Sequence, residues 1–106
     1  MSNLKTKVEI GSYSKLPTGV GQTFQINEAE IVLFKLSNGD VRALENKSPH
    51  PKGGTLSDGL VSGEFVYCPV YDLKISLIDG CVQPPDEGSV KTYSISIEDD
   101  IVSITI

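Results

Sequence analysis

The sequence predicts an all-β domain, an antiparallel β-sandwich or small barrel with a loop-bearing hairpin sub-sheet. Three observations point there. Short runs rich in Val, Ile, Thr and aromatic residues recur along the whole chain, each bounded by Gly, Pro, Asn or Asp. No segment sustains an apolar period of 3.6 residues, the mark of an amphipathic helix. The last two runs alternate cleanly: Tyr93, Ile95 and Ile97 stand against Thr92, Ser94 and Ser96, and Val102, Ile104 and Ile106 share one face of the next run.

Taken in order, Lys5–Ile10 reads as a first strand and residues 14–19 as a turn-rich link. Gln22–Asn27 is a second strand, with Thr23 and Phe24 favouring the extended state. Glu30–Leu36 is a third. Val32, Phe34 and Leu36 fall on one of its faces and Ile31 and Leu33 on the other, so both are expected to be partly buried. Asn38-Gly39 supplies a two-residue hairpin turn, because both residues tolerate positive φ, and Val41–Glu45 returns as the fourth strand. Asn46–Leu60 is a long loop carrying Pro49, Pro51, Gly53, Gly54 and Gly59; a loop of that length in a compact domain is usually functional or pinned. Strands follow at Glu64–Cys68 and Leu73–Leu77. Asp79-Gly80 closes a hairpin whose return, Cys81-Val82-Gln83, ends at Pro84-Pro85, since proline cannot donate to a ladder. Asp86-Glu87-Gly88 is a surface turn, and Val90–Glu98 and Ile101–Ile106 join through Asp99-Asp100. About nine or ten short strands of this kind make a sandwich or barrel. If Ile101–Ile106 forms an edge, it offers a route to self-association.

With 106 residues the chain is expected to form one domain, 1–106, with the special loops in a sub-domain of about 46–83. That is enough for a core without metal or disulfide support. Net charge is −5 and the nine basic residues are scattered from Lys5 to Lys91, which argues against binding nucleic acid or an anionic membrane surface. The first seven residues hold no apolar signal segment, and the longest apolar run, Ile31–Phe34, is far too short to span a bilayer. A cytoplasmic protein with reduced Cys68 and Cys81 is therefore expected. Cys81 reads as a small strand residue packed in the core, and Cys68 as a buried, inert thiol. His50 is the only histidine, so no Cys–His–Asn constellation assembles, and a lone loop histidine is most often exposed or hydrogen-bonded. Asp99-Asp100 and Asp86-Glu87 read as solvated turns. Lys52-Gly53-Gly54 lacks both P-loop spacing and a following helix. No catalytic residue is expected on this chain.

Two loops remain: Ser48-Pro49-His50-Pro51-Lys52-Gly53-Gly54 and Cys68-Pro69-Val70-Tyr71. A Rieske [2Fe–2S] centre is held by Cys-x-His in one loop and Cys-x-x-His in another, one iron taking the thiolates and the other the imidazoles. Here the loops read Ser-Pro-His and Cys-Pro-Val-Tyr, so each lacks one ligand; seventeen residues, 51–67, separate His50 from Cys68. Residues 43–46, Val66-Tyr67-Cys68-Pro69, Leu77-Ile78-Asp79-Gly80 and the Pro-Pro turn complete a pattern that resembles the Rieske superfamily. Residues 52–63 and 82–93 are similar to the small subunits of cytoplasmic assimilatory NAD(P)H-dependent nitrite reductases. The resemblance covers roughly residues 5–106. Ser48 and Tyr71 stand where Rieske proteins carry cysteine and histidine, and Pro51 is one extra residue before Lys52. Members of this small-subunit family are known for having lost cluster ligands.

The resemblance implies that the holoenzyme reduces nitrite to ammonia in nitrate assimilation, with FAD, a [4Fe–4S] cluster and sirohaem all on the large subunit. This chain would carry no cofactor and no metal, and would be inactive alone, organising or stabilising its partner. Residue chemistry agrees with the missing cluster. Making the Tyr71 phenolate available at neutral pH costs roughly 4 kcal/mol, since tyrosine titrates near pH ~10, and hard oxygen donors suit iron–sulfur chemistry less well than thiolate. A zinc site from His50, Cys68 and one oxygen is weaker still. The vestigial positions are thus Ser48, His50, Cys68 and Tyr71, with the Tyr71 ring expected to fill the volume a cluster would take. The expected docking surface for the large subunit is His50, Lys52, Gly53, Gly54, Pro69, Val70 and Tyr71. Two alternatives stay open: a Rieske-type [2Fe–2S] ferredoxin and a stand-alone, cluster-free binding module.

Overall fold

The computed structural model describes residues 7–48, 54–69, 73–84 and 86–106. Among them run β1 (Lys7–Ser12), β2 (Gln22–Ile26), β3 (Ala29–Lys35), β4 (Val41–Glu45), β5 (Leu60–Ser62), β6 (Phe65–Tyr67), β7 (Lys74–Ser76), β8 (Thr92–Glu98) and β9 (Ile101–Thr105). Single 3-10 turns occupy Tyr13–Lys15 and Leu56–Asp58. The strands form an antiparallel six-stranded sheet in the order β1-β9-β8-β4-β3-β2 and a three-stranded sheet, β5-β6-β7. The chain is all-β, as its alternation predicts. No helix among the described residues is long and apolar enough to cross a membrane.

β3 carries a core on each face. Val32, Phe34 and Leu36 pack with Leu44, Leu56, Val66, Cys68, Ile75 and Leu77, between the large sheet and the small one. Ile31 and Leu33 point the other way, against Ala43, Val102 and Ile104. These five side chains, four in β3 and Leu36 just after it, are at most 2% exposed, and burial of each contributes about 1.5–3 kcal/mol. The first of these cores holds the small sheet, and with it the two loops, against the large sheet.

The small sheet is also fastened at Gly80. Val90 N–H donates to Gly80 O at 2.9 Å, and Gly80 N–H donates to Ser76 O at 2.9 Å. Gly80 has φ +77°, and a Cβ there would lie 2.3 Å from Val90 O. Only glycine permits this approach.

Several expectations need correcting. The first strand is Lys7–Ser12 rather than Lys5–Ile10, with Lys5 and Thr6 outside the described residues. The β3–β4 turn is a three-residue link, Ser37-Asn38-Gly39, in which only Gly39 has positive φ. Asn38 Oδ1 instead accepts from Asp40 N–H at 2.9 Å, and Gly39 N–H donates to Leu36 O. Leu60, read as the end of the long loop, begins strand β5, Leu60–Ser62, which pairs with β6. Cys81 is exposed, not packed in the core; its neighbour Val82 is the inward residue. The Cys81–Gln83 return strand is reduced to isolated bridges, Ile75↔Val82 and Cys81↔Ser89. β9 is not an edge: it lies between β1 and β8, because the N-terminal strand returns across the chain to pair with it. Its self-association route is therefore closed. The Asp99-Asp100 turn holds, with both residues at positive φ. Asp100 does more than face water: it accepts from Ser12 Oγ, Ser14 Oγ and Ser14 N–H, tying the β8–β9 turn to the end of β1.

Candidate functional site at the base of the two loops

Both special loops leave from buried residues of the core between the sheets. Ser48 is 2% exposed and Cys68 is fully buried. Ser48 N–H donates to Gly54 O at 3.0 Å, closing the base of the first loop, and Cys68 N–H donates to Leu73 O at 2.9 Å, closing the second. Across the gap the Cys68 thiol donates to Ser48 Oγ at 3.1 Å. The residues that the sequence pairs by pattern are thus joined directly.

Asn46 locks the first loop to the large sheet. Its N–H donates to Glu30 O at 2.8 Å. Its Nδ2 reaches Glu30 Oε2 at 3.3 Å and Ser57 Oγ at 3.2 Å, while its Oδ1 accepts from Ser57 N–H at 2.8 Å. Sequence alone assigns Asn46 no role. The available signal was its place, an amide directly after a strand and before an irregular loop, where Asn side chains bond nearby backbone.

His50, Pro51, Lys52, Gly53, Val70 and Tyr71 lie outside the described residues, as does Pro85. Of the expected docking residues, Gly54 and Pro69 are described, and both are exposed. The expectation that the Tyr71 ring fills a cluster's volume also falls outside the described residues.

Residues 7–105 match the family described as Rieske-like [2Fe-2S] domain. The chain belongs to that family. No curated protein matches it. Among solved structures, it is similar to a protein described as a nitrite reductase NADPH small subunit, with 27% identity over 93% of this chain and 97% of that one, TM-score 0.77. An NADH-dependent nitrite reductase small subunit, so described, from Mycobacterium tuberculosis shares 22% identity over 98% and 97%, TM-score 0.87. The ferredoxin of carbazole 1,9a-dioxygenase from Nocardioides aromaticivorans shares 20% over 93% and 96%, TM-score 0.83. The last two likenesses speak for the fold.

A Rieske-like cluster would place two thiolates where Ser48 and Cys68 stand. Ligation by sulfur requires thiolate, whereas the Cys68 sulfur is engaged in a hydrogen bond with Ser48 Oγ. Donors sharing one tetrahedral metal, with bonds of about 2.3 Å for sulfur and about 2.1 Å for oxygen, stand roughly 3.6 Å apart. The 3.1 Å contact between Cys68 and Ser48 is shorter and direct. Among the described residues, one thiol bonded to one neutral hydroxyl does not fit a [2Fe–2S] cluster. Nor do the described residues bring together three His, Cys, Asp or Glu side chains in metal-ligating range.

Cys81, the other cysteine, sits outside this site. The Asp79 carboxylate beside it pushes its thiol pKa up from the ordinary 9.0. In turn, the Cys81 N–H holds the Asp79 carboxyl below its usual value. Cys81 is thus exposed but kept protonated near neutrality, the opposite of an activated nucleophile.

Proposed function

We propose that this Rieske-like chain is the small, non-redox subunit of an NAD(P)H-dependent nitrite reductase, organising or stabilising the large subunit that reduces nitrite to ammonia. Sirohaem, FAD and a [4Fe–4S] cluster belong to that large subunit, and this chain holds neither cluster nor metal. The observation that carries the reading is the Cys68 Sγ–Ser48 Oγ hydrogen bond. It occupies the pair of positions that would otherwise present two thiolates to one iron. The small subunit that shares 27% identity supports the choice of partner. In this reading the loops keep a Rieske-like frame through backbone closures at Ser48 and Cys68 and through the Asn46 clamp. The tips, from His50 to Gly54 and from Pro69 to Tyr71, then serve as a docking surface in the cytoplasm.

The test is the iron content and visible spectrum of anaerobically purified protein, alone and co-expressed with a nitrite reductase large subunit. Colourless, iron-free chain that co-purifies with the sirohaem protein is the expected result. Brown protein with about two irons per chain, as a [2Fe–2S] centre requires, overturns the non-redox role and makes the chain an electron carrier. Colourless chain that never associates with the large subunit leaves a stand-alone binding module.

A further inference from the structure

The three-stranded sheet buries one face and leaves the other partly open to solvent. Val61, Val66 and Ile75 face the core. By alternation and register, Leu60, Ser62, Phe65, Tyr67 and Lys74 share the outer face, with Leu60 opposite Tyr67 and Tyr67 opposite Lys74. Leu60 is 72% exposed, the most exposed large hydrophobic residue among those described. Together with Tyr67, Pro69, Asp58 and Ser62 it lines an open cleft of about 430 Å³. An exposed leucine beside a half-buried tyrosine forms the kind of apolar surface that marks a protein-interaction site.

Charge and backbone say what kind of partner. Lys74 Nζ lies 4.3 Å from the centroid of the Phe65 ring and 6.0 Å from that of Tyr67, so a cation is held over the aromatic patch. Asp58, on the same cleft, accepts from Thr55 Oγ1 at 3.0 Å. β5 is an edge of its sheet. The Leu60↔Tyr67 and Ser62↔Phe65 pairs use the inward backbone groups of β5, which turns the Val61 N–H and C=O outward. An edge with outward main-chain groups beside side-chain pockets takes an extended segment by strand addition.

We propose that this face, from β5 across Leu60 and Tyr67 to Pro69, binds an extended segment of the large subunit. That segment pairs with Val61, lays an apolar side chain on Leu60 and Tyr67, and presents a carboxylate to Lys74. The inference rests on the nitrite reductase reading above and extends the docking surface from the loop tips onto the sheet. Of the tip residues it uses only Pro69.

The test measures affinity of the full chain for the isolated large subunit of a nitrite reductase by titration calorimetry. It compares wild type with Leu60→Ser, Lys74→Glu and Val20→Ser. Val20, 52% exposed in the link before β2, is the control for loss of a surface apolar group. Leu60→Ser and Lys74→Glu are expected to weaken binding about ten-fold or more, with Val20→Ser unchanged. Hydrogen exchange on the same complex is expected to slow at the Val61 amide. Wild-type binding that neither Leu60→Ser nor Lys74→Glu weakens overturns this inference and leaves the subunit reading standing. No wild-type binding overturns both. Self-association of wild type that Leu60→Ser abolishes, without effect on large-subunit binding, makes a second copy the occupant and also overturns it.

Discussion

Replacing Gly80 by alanine is expected to loosen the small sheet from the large one, and the size of the effect follows from two separable causes. The first is backbone: φ is +77°, and a Cβ in that region costs about 1–2 kcal/mol. The second is contact. The new Cβ would sit 2.3 Å from Val90 O, 3.3 Å from Val90 C and 3.1 Å from Thr92 Cγ2, so backbone must move. Moving it strains the Val90 N–H to Gly80 O bond, and leaving a buried donor or acceptor unsatisfied costs about 1–3 kcal/mol. The sum is about 2–5 kcal/mol, a large part of the stability of a small domain and worth roughly 10–30 °C in Tm. Gly63 separates the two causes. It has φ +60° and open space around its would-be Cβ, so Gly63→Ala carries only the backbone cost, about 1 kcal/mol. The assay is urea unfolding followed by far-ultraviolet circular dichroism, since the chain has no tryptophan. Gly80→Ala losing at least about 1.5 kcal/mol more than Gly63→Ala is the expected outcome. If the two variants agree within about 0.5 kcal/mol, the close approach to Val90 carries no energy and the reasoning fails.

Three other outcomes are expected. An aromatic disulfide reagent should label Cys81 but not buried Cys68 in the native protein; Asp79→Asn should speed the Cys81 reaction several-fold near neutral pH, because the carboxylate that favours the protonated thiol is gone, and an unchanged rate would contradict that. Asn46→Ala removes the acceptor of Ser57 N–H and should lower stability by about 1–3 kcal/mol, with faster hydrogen exchange at residues 54–58; unchanged exchange would show that the loop is held by other contacts. Asp100 is held below its ordinary value of 3.8, first by the Ser12 hydroxyl and then by Ser14. A depressed folded-state pKa means stability that is full above the unfolded value and disappears as pH falls through the folded one. The stability gap between wild type and Asp100→Asn should therefore be constant from neutral pH down to about 5 and close in stronger acid; a gap that persists at pH ~2 would refute it.

What the sequence discloses is local, and what it hides is pairing at a distance. The β4 strand and the Asp99-Asp100 turn are legible because alternation and positive-φ tolerance act over a few residues. The Ser37–Gly39 link was misread for a chemical reason: Asn38 tolerates positive φ but uses its side chain on Asp40 N–H instead. β5 escaped because three residues give no alternation to see, and its Leu60 faces outward. Cys81 was misplaced by residue type, though alternation with inward Val82 carried the right signal. Only the return of β1, pairing Lys7 with Thr105, fills the other side of β9, and no local pattern discloses that pairing. At the site, the loop pattern marked Ser48 and Cys68, but not that a thiol–hydroxyl bond would join them. The Asn46 clamp needed the fold, since Ser57 and Glu30 come to it from opposite directions along the chain.

The two apolar faces of β3 leave its alignment open. In a strand with one wet face, sliding by one residue would put apolar side chains into water, and that penalty alone fixes the alignment. Here a one-residue slide of β3 exchanges Val32, Phe34 and Leu36 for Ile31 and Leu33 in the middle of the strand, trading one dry environment for another, and meets a penalty only at the strand's end, where Lys35 would enter a buried position. Hydrophobicity in the middle of the strand discriminates weakly between the two arrangements. The deciding groups are polar and stand at either end of β3: the Asn38–Gly39 link, whose hydrogen bonds count residues, and the Asn46 bonds to Glu30, which accept only one alignment. The same Asn46 that holds the first loop thus also proofreads the central strand, so a change there would be felt as misaligned chains during folding before it was felt as a weaker native state.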